Sequence, residues 1–386
     1  MEKMKLLILS QCFYPSKYRG GSTVSTVNLV KALSGCFDIS VITTFYEIGS
    51  GKPYTKVSAG KNRILDCDVY YLKNQGLSSV WKLIKTIRPG VIFVSSIFSA
   101  MHSIPAMLYQ KYTDPDVRLI ISPRGELLKE ARRLKAWRKN LFLHGIRLTG
   151  LTGRAQFHAT SREELEELRG IFPGSPIHCI KDISLAGDNP FPRPEKTEGV
   201  LHIYTVSRIH PIKNIHMAIE ILRNVKGRIR FDIYGPVEDK DYFEACMKKA
   251  DCLGDSARVR YKGCLDHEGM PELISRYHLF LSPSKNENFG HSIIEAMQYG
   301  CPVIISDRTP WQKLEDYHAG YSIPLDRTEE FSRAVQSFAD MKNSDYQSWC
   351  AGASAYMGEF LDIGKSIEEH KAMFLGSRKT TDATDV

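Results

Sequence analysis

Two acids and two cations in the second half of the chain have the types and spacing to do chemistry. Glu287 and Glu295 stand eight residues apart, on either side of Asn288-Phe289-Gly290. An apolar run of strand length, His278 to Ser282, precedes them, and a second, Pro302 to Ser306, follows. A polar loop and a helical segment from about His291 to Tyr299 lie between, with Gly300 and Pro302 as stop signals. The unit reads strand, loop, helix, strand, which is a parallel crossover. Backbone N–H groups near Phe289 and Gly290 gather at a helix N-terminus, which favours a phosphate or a sugar oxygen. Glu295 follows Ile293 and Ile294 and precedes Ala296 and Met297, so if buried it needs a hydrogen-bonding partner. Two vicinal hydroxyls of a ribose would serve. The alternative is a pair of ordinary acids in an α/β protein.

Arg208 and Lys213 lie on the loop between a strand, Leu201 to Val206, and the next helical stretch. A forked guanidinium and a point-charge ammonium five residues apart suit a diphosphate, although lone basic residues on loops are often simply solvated. Near the N-terminus a strand, Lys5 to Ser10, leads through Gly20-Gly21 into a helical pattern. Such a glycine pair is either a turn or a place where backbone approaches a ligand at a helix start.

At 386 residues the chain implies two domains, each able to bury a core. Hydrophobic residues at 42% and charged residues at 25% are ordinary for a globular protein. The nine cysteines are scattered without a C-x-x-C pair, which is neither a zinc pattern nor a disulfide framework and points to a reducing cytosol. The first apolar run is too short and too early for a signal peptide. Val91 to Tyr112 reads as a strand and a helix rather than a membrane span, because serines, His102 and Pro105 interrupt it. A net charge of +8 is compatible with an anionic membrane, nucleic acid or phosphorylated substrates, and does not choose among them.

Glu287-Asn288-Phe289-Gly290-His291, with Glu295-Ala296 and Gly300-Cys301-Pro302-Val303-Ile304 behind it, resembles the Glu-x7-Glu signature of family 4 retaining glycosyltransferases. Ser306-Asp307-Arg308-Thr309-Pro310-Trp311 is similar to that family's downstream motif. The resemblance implies an α/β protein of the GT-B fold, two doubly wound Rossmann-like domains facing a cleft. It also implies transfer of a sugar from a nucleotide-diphosphate donor to a glycan or lipid-linked acceptor, in cell-surface polysaccharide or lipopolysaccharide synthesis. Arg208 and Lys213 would neutralise the leaving diphosphate. Glu287 with Asn288, Phe289 and Gly290 would hold the sugar, Glu295 the ribose, and Gly20 and Gly21 the donor diphosphate or acceptor. The usual proposal for the family is front-face attack, with the departing phosphate taking the acceptor proton. No metal and no cofactor beyond the nucleotide sugar is expected; Asp66-Cys67-Asp68 and Asp114-Pro115-Asp116 follow the wrong strands for a metal-dependent transferase. A nucleotide-sugar epimerase, a sugar-phosphate synthase and a non-catalytic binding subunit remain alternatives.

Family members commonly carry a histidine where this chain has Arg124, after the strand Leu119 to Ser122. An arginine cannot act as a general base, so Arg124 either binds an anionic group of the donor or pairs with a local acid such as Glu126. From Leu127 to Leu143 the chain reads as one basic amphipathic helix. Arg132, Arg133, Lys135, Arg138 and Lys139 supply the charge and Trp137 an aromatic contact, suiting either an anionic membrane or a solvated face. No nucleic-acid motif is present. The expected location is the cytoplasm, with peripheral contact at the inner face of the cytoplasmic membrane. The expected organisation is an acceptor domain over 1–184, a linker over 185–200 and a nucleotide-sugar domain over 201–360. A helix over 361–376 would cross back to the first domain, followed by a disordered tail over 377–386.

Overall fold

The structure is a computed structural model and describes residues 3–16, 20–48, 51–133, 136–185, 192–254, 257–265 and 269–376. The chain forms two compact units, one comprising Met1–Leu185 with Ile363–Val386 and the other Ala186–Asp362. The expected tail over 377–386 and part of the expected linker, 186–191, lie outside the described residues.

Among the described residues the first unit is built on eight strands: β1 Lys5–Ser10, β2 Asp38–Thr44, β3 Gly60–Ile64, β4 Cys67–Leu72, β5 Val91–Ser95, β6 Arg118–Ser122, β7 Gln156–Ala159 and β8 Ile177–Cys179. Their order is β3-β4-β2-β1-β5-β6-β7-β8. Every pairing is parallel except β3 with β4, which the sequence reading had not anticipated. Strands covered on both faces read as continuous apolar runs; Leu6, Leu7, Ile8 and Leu9 of β1 are all fully buried. Helix Ile363–Leu375 belongs to this unit. Its Phe374 packs edge-on against Phe37 and Phe93, at 5.8 and 5.5 Å between ring centroids, and Arg118 donates to the Phe374 carbonyl.

Among the described residues the second unit has six strands: β9 Val200–Val206, β10 Arg228–Tyr234, β11 Ala257–Tyr261, β12 Leu279–Ser282, β13 Val303–Ser306 and β14 Gly320–Ile323. They are ordered β11-β10-β9-β12-β13-β14 and all parallel. On one face Ile203, Phe231, Leu281 and Ile304 meet Phe331, Val335 and Phe338 of helix Thr328–Asp340. Helix Asn343–Phe360 had not been anticipated from the sequence.

Residues 192–199, within the expected linker over 185–200, bond to the second unit: Arg193 donates to Ile274 O at 2.7 Å and Lys196 Nζ to Ala339 O at 2.9 Å. The single basic helix expected over 127–143 is instead two helices, Lys129–Arg133 and Ala136–Leu148. Residue Lys135 and the side chain of Arg133 lie outside what the structure describes.

Candidate functional site

In a doubly wound sheet, ligands bind beyond the carboxyl ends of the strands where the strand order reverses. In the second unit that point lies between β9 and β12. The loop after β9 carries Arg208 and Lys213, and the loop after β12 carries Glu287.

The backbone stitches these loops together. Lys285 N–H and Ser284 Oγ both donate to Ile212 O, at 2.8 and 3.2 Å. His210 caps the short turn Pro211–Lys213, its Nδ1 accepting from Ile212 N–H at 3.3 Å. Glu287 N–H donates to Arg308 O at 2.9 Å, tying in the loop after β13. The outcome is a bond from Lys213 Nζ to Glu287 Oε1 of 2.5 Å, with the two side chains only 15% and 13% exposed. Arg208 is placed differently: it pairs with Glu238, also at 2.5 Å, but both side chains are 44% exposed. The Arg208 loop rests on the end of β10 because position 235 is glycine. A Cβ there, at φ +130°, would stand 1.9 Å from Ser207 O.

Gly290, with φ +77°, turns the chain into helix His291–Gln298. Phe289 is buried, its carbonyl accepting from Trp311 Nε1–H at 2.7 Å and its ring meeting His291 at 4.9 Å. Glu295 is half-buried on that helix. Burial first, with Glu295 among the smaller causes, raises the Tyr204 phenol well above its ordinary value. Lys213 and Glu287 are thus brought into contact, Asn288, Phe289, Gly290 and Glu295 follow on the same loop and helix, and Arg208 is engaged with Glu238. The sequence reading missed Glu238. The signal was available: it follows β10, whose end lies beside that of β9.

In the first unit the order reverses between β1 and β5. Gly20 is the N-cap of helix Gly21–Leu33, whose polar residues Ser25 and Thr26 are buried. Arg124 is held at φ +51° at the end of β6. Its Nη1 donates to Ser22 O at 2.7 Å, its Nη2 stands 3.7 Å from Asp182 Oδ1, and its guanidinium lies over the Phe93 ring at 5.8 Å. The side chains of Arg124 and Asp182 are each 6% exposed. Asp182 also accepts from Ser25 Oγ at 2.7 Å. Arg124 therefore pairs with an acid, which is the sequence-distant Asp182 and not Glu126. Glu126 instead accepts from Ser96 Oγ at 2.7 Å and Ile97 N–H at 3.1 Å, and burial raises its carboxyl above the usual range.

Ser161 caps helix Arg162–Ile171 by accepting from Glu164 N–H. The Glu164 carboxylate also accepts from Thr160 N–H at 2.9 Å and from Gly125 N–H at 2.5 Å, pinning the turn that carries Arg124. Asp68 pairs with Lys61 and Arg63, and Asp114 caps Asp116 N–H, so both Asp-x-Asp triplets have local structural partners.

On the expected membrane helix, Trp137 and Arg138 are exposed, with Arg138 over the Trp137 ring at 5.1 Å. Lys139 turns inward, donating to Ala131 O at 2.6 Å and lying over the Phe98 ring. Arg132 stands 4.0 Å from Glu167 and donates to Asn140.

The two α/β units, one on a mostly parallel and one on a fully parallel sheet, define a protein of the GT-B fold. Comparison with a solved structure agrees: sucrose-phosphate synthase from Thermosynechococcus elongatus superposes with a TM-score of 0.74 at 15% identity, over 97% of this chain and 99% of that one. Residues 189–350, within the second unit, match the family described as glycosyl transferases group 1. Two curated relatives align over part of the chain. The GtfA subunit of UDP-N-acetylglucosamine–peptide N-acetylglucosaminyltransferase from Streptococcus parasanguinis is 29% identical over 153 residues, 38% of this chain and 29% of that protein. GDP-mannose:cellobiosyl-diphosphopolyprenol alpha-mannosyltransferase from Xanthomonas campestris is 27% identical over 148 residues, 37% of this chain and 39% of that protein. The alignments thus span well under half of either relative.

Proposed function

We propose that this chain is a metal-independent retaining glycosyltransferase of family 4, moving a hexosyl group from a nucleotide-diphosphate donor to a glycan or lipid-linked acceptor. Cell-surface polysaccharide or lipopolysaccharide synthesis is the setting we favour, with the chain in the cytoplasm and in peripheral contact with the membrane's inner face. The observation that carries the reading is the Lys213–Glu287 pair at the strand-order reversal of the second unit, inside the segment that matches the glycosyltransferase family.

The leaving diphosphate is the main electrostatic demand of such a reaction, and preorganised cations meet it. Arg208, paired only at the surface, gives up Glu238 at little cost and grips phosphate oxygens with its fork. Lys213 supplies a fixed charge, held in place by Glu287. Glu287 is then a positioning and sugar-binding acid rather than a nucleophile, because an ammonium at 2.5 Å draws on the lone pairs that attack would use. Backbone N–H groups near Gly290 and the half-buried Glu295 serve the sugar and the ribose. Gly20 and Gly21 open a helix N-terminus to a diphosphate or acceptor oxygen. The curated relatives include one named for a UDP-sugar and one for a GDP-sugar, so both nucleotides belong in the test.

Calorimetric titration of UDP and of GDP, in chelator, into wild type and Glu295→Ala is that test. One nucleotide should bind tightly and lose affinity in the variant. Binding of neither, with or without magnesium, would overturn the donor-site reading. Retention is checked separately, by the anomeric configuration of the product in NMR.

A further inference from the structure

Helix Ala136–Leu148 has two apolar faces. Leu143 and Ile146 turn inward and are buried. Trp137, Leu141 and Leu148 turn outward, at 67%, 64% and 75% exposure. Their spacings of four and seven residues place them on one stripe at about 100° per residue. At the same pitch Arg138 flanks one edge, and His144 and Arg147 the other, all exposed. Three large apolar side chains in a row at such exposure are not the scattered surface hydrophobes of an ordinary monomer. Beside the stripe runs a groove of about 630 Å³, lined among others by Arg132, His144 and Arg147. Its two acids are already engaged: Glu167 lies 3.6 Å from Lys129 and 4.0 Å from Arg132, and Glu166 lies 2.8 Å from Arg169. Among the described residues neither Arg138 nor Arg147 has an acid in ion-pair contact. The stripe is therefore apolar at its centre and cationic at its margins.

We propose that this outer face docks on an anionic phospholipid surface, with Trp137, Leu141 and Leu148 entering the boundary between headgroups and acyl chains and Arg138 and Arg147 meeting lipid phosphates. The inference names the partner of the peripheral contact proposed above and rests on that reading. It also changes which residues make the contact. Lys139 and Arg132, expected at the membrane from charge, are turned to the protein or tied to Glu167, while Leu148 and Arg147 join Trp137, Leu141 and Arg138. Charge complementarity selects the occupant. A protein partner or a second copy would have to cover an apolar stripe and supply acids on both sides of it, whereas an anionic bilayer offers both at once. Tryptophan suits this level of a bilayer because its ring is apolar and its N–H is polar.

The test is co-sedimentation with vesicles of phosphatidylcholine, with and without an equal part of phosphatidylglycerol, scored without donor or acceptor. Its failure therefore leaves the sugar-transfer reading untouched. Wild type should bind the anionic vesicles, more weakly as salt is raised, with a blue shift of tryptophan emission that Trp137→Phe abolishes. Arg138→Gln with Arg147→Gln should weaken binding about thirty-fold, at roughly five-fold per cation near the surface. Trp137→Ala, Leu141→Ala and Leu148→Ala together should abolish it. These side chains are mostly solvated, so folding and nucleotide binding should stay intact. Absence of binding to anionic vesicles, or binding indifferent to the triple substitution, overturns the proposal. So does a lipid-free oligomer in light scattering that the triple substitution converts to monomer, which would assign the stripe to a second copy.

Discussion

Replacing Lys213 by methionine removes one charge and keeps the apolar stem, and its consequences differ from those of the same change at Arg208. The Lys213–Glu287 pair is about seven-eighths shielded from water on each side. Breaking a buried pair by removing one partner costs about 3–5 kcal/mol, because the remaining charge is stranded. An exposed pair is worth about 0.2–1 kcal/mol. With its residual exposure, Lys213→Met should cost about 2–3 kcal/mol in urea denaturation. Arg208→Met, whose pair with Glu238 is nearly half exposed, should cost under about 1 kcal/mol. For the nucleotide diphosphate the ordering disappears. Each cation supplies charge-assisted hydrogen bonds worth about 1.5–3 kcal/mol, so each variant should lose roughly one to two orders of magnitude in calorimetric affinity. The double variant Lys213→Met/Glu287→Leu separates the effects. With no stranded carboxylate its stability should return toward wild type, while nucleotide affinity stays low. Equal stability of the two single variants would refute the burial argument. A double variant that binds nucleotide like wild type would refute the role of Lys213 at the diphosphate.

Gly290→Ala should cost about 1–2 kcal/mol, since φ +77° disfavours any Cβ. The new methyl would also meet Ile293 Cδ1 at 3.0 Å. Lowered nucleotide affinity together with a lower urea midpoint is the expected result. Arg124→Gln leaves Asp182 buried without its cation, and a loss of about 2–4 kcal/mol is expected, with Arg124→Lys intermediate. If Arg124 instead serves the donor, affinity will fall without that loss. Acidification should destabilise the first unit through its buried histidines. Burial lowers His158 to about 3, with His370 adding to it, and lowers His102 to about 4. Both stay neutral in the fold and take up a proton on unfolding. Stability therefore rises with pH across this window and is lost as pH falls below about 6.5, by about 1.4 kcal/mol per pH unit for each group, until the folded values are reached. A shallower pH slope in His158→Gln than in wild type, read from urea midpoints between about pH 6.5 and 4.5, would bear out this linkage.

The doubly wound architecture was legible because its strands announce themselves. Leu6 to Leu9, Val91 to Val94 and Val303 to Ile305 are apolar runs that only a sheet covered on both faces would bury. The antiparallel β3 carries Lys61, Asn62 and Arg63 on an exposed edge, so no apolar pattern marks it. Within the site, local signals read well and long-range partners did not. The glycine turn at 290 follows from residue types next to one another. That Lys213 meets Glu287 across 74 residues, Arg208 meets Glu238 across 30, and Trp311 closes on the Phe289 carbonyl across 22 depends on which strands are neighbours. Pairing of distant side chains is a property of strand order, and strand order is not written in any one segment.

Arg124 shows the same limit from the other side. Its place after β6, on the carboxyl edge of the sheet, made a ligand-facing cation as reasonable as a paired one. The choice was settled by Asp182, 58 residues further on, in a stretch that shows no periodicity. The contrast between the two reversal points then bears on chemistry. In the second unit the point between β9 and β12 is faced by Lys213 and Glu287, and Arg208 stands on the same loop with its charge near the surface. In the first unit, between β1 and β5, the arginine is already neutralised by Asp182, and hydroxyls take the remaining positions: Ser10, Ser95 and Thr26, with Thr26 Oγ1 3.5 Å from Ser95 Oγ. A departing diphosphate needs cations, whereas a sugar acceptor needs neutral donors and acceptors that do not compete for phosphate. Under the proposed transfer, this charge distribution favours a nucleotide at the second unit and a hydroxyl-bearing acceptor at the first. Arg124→Gln should then change acceptor kinetics and stability together while leaving UDP or GDP affinity at its wild-type value.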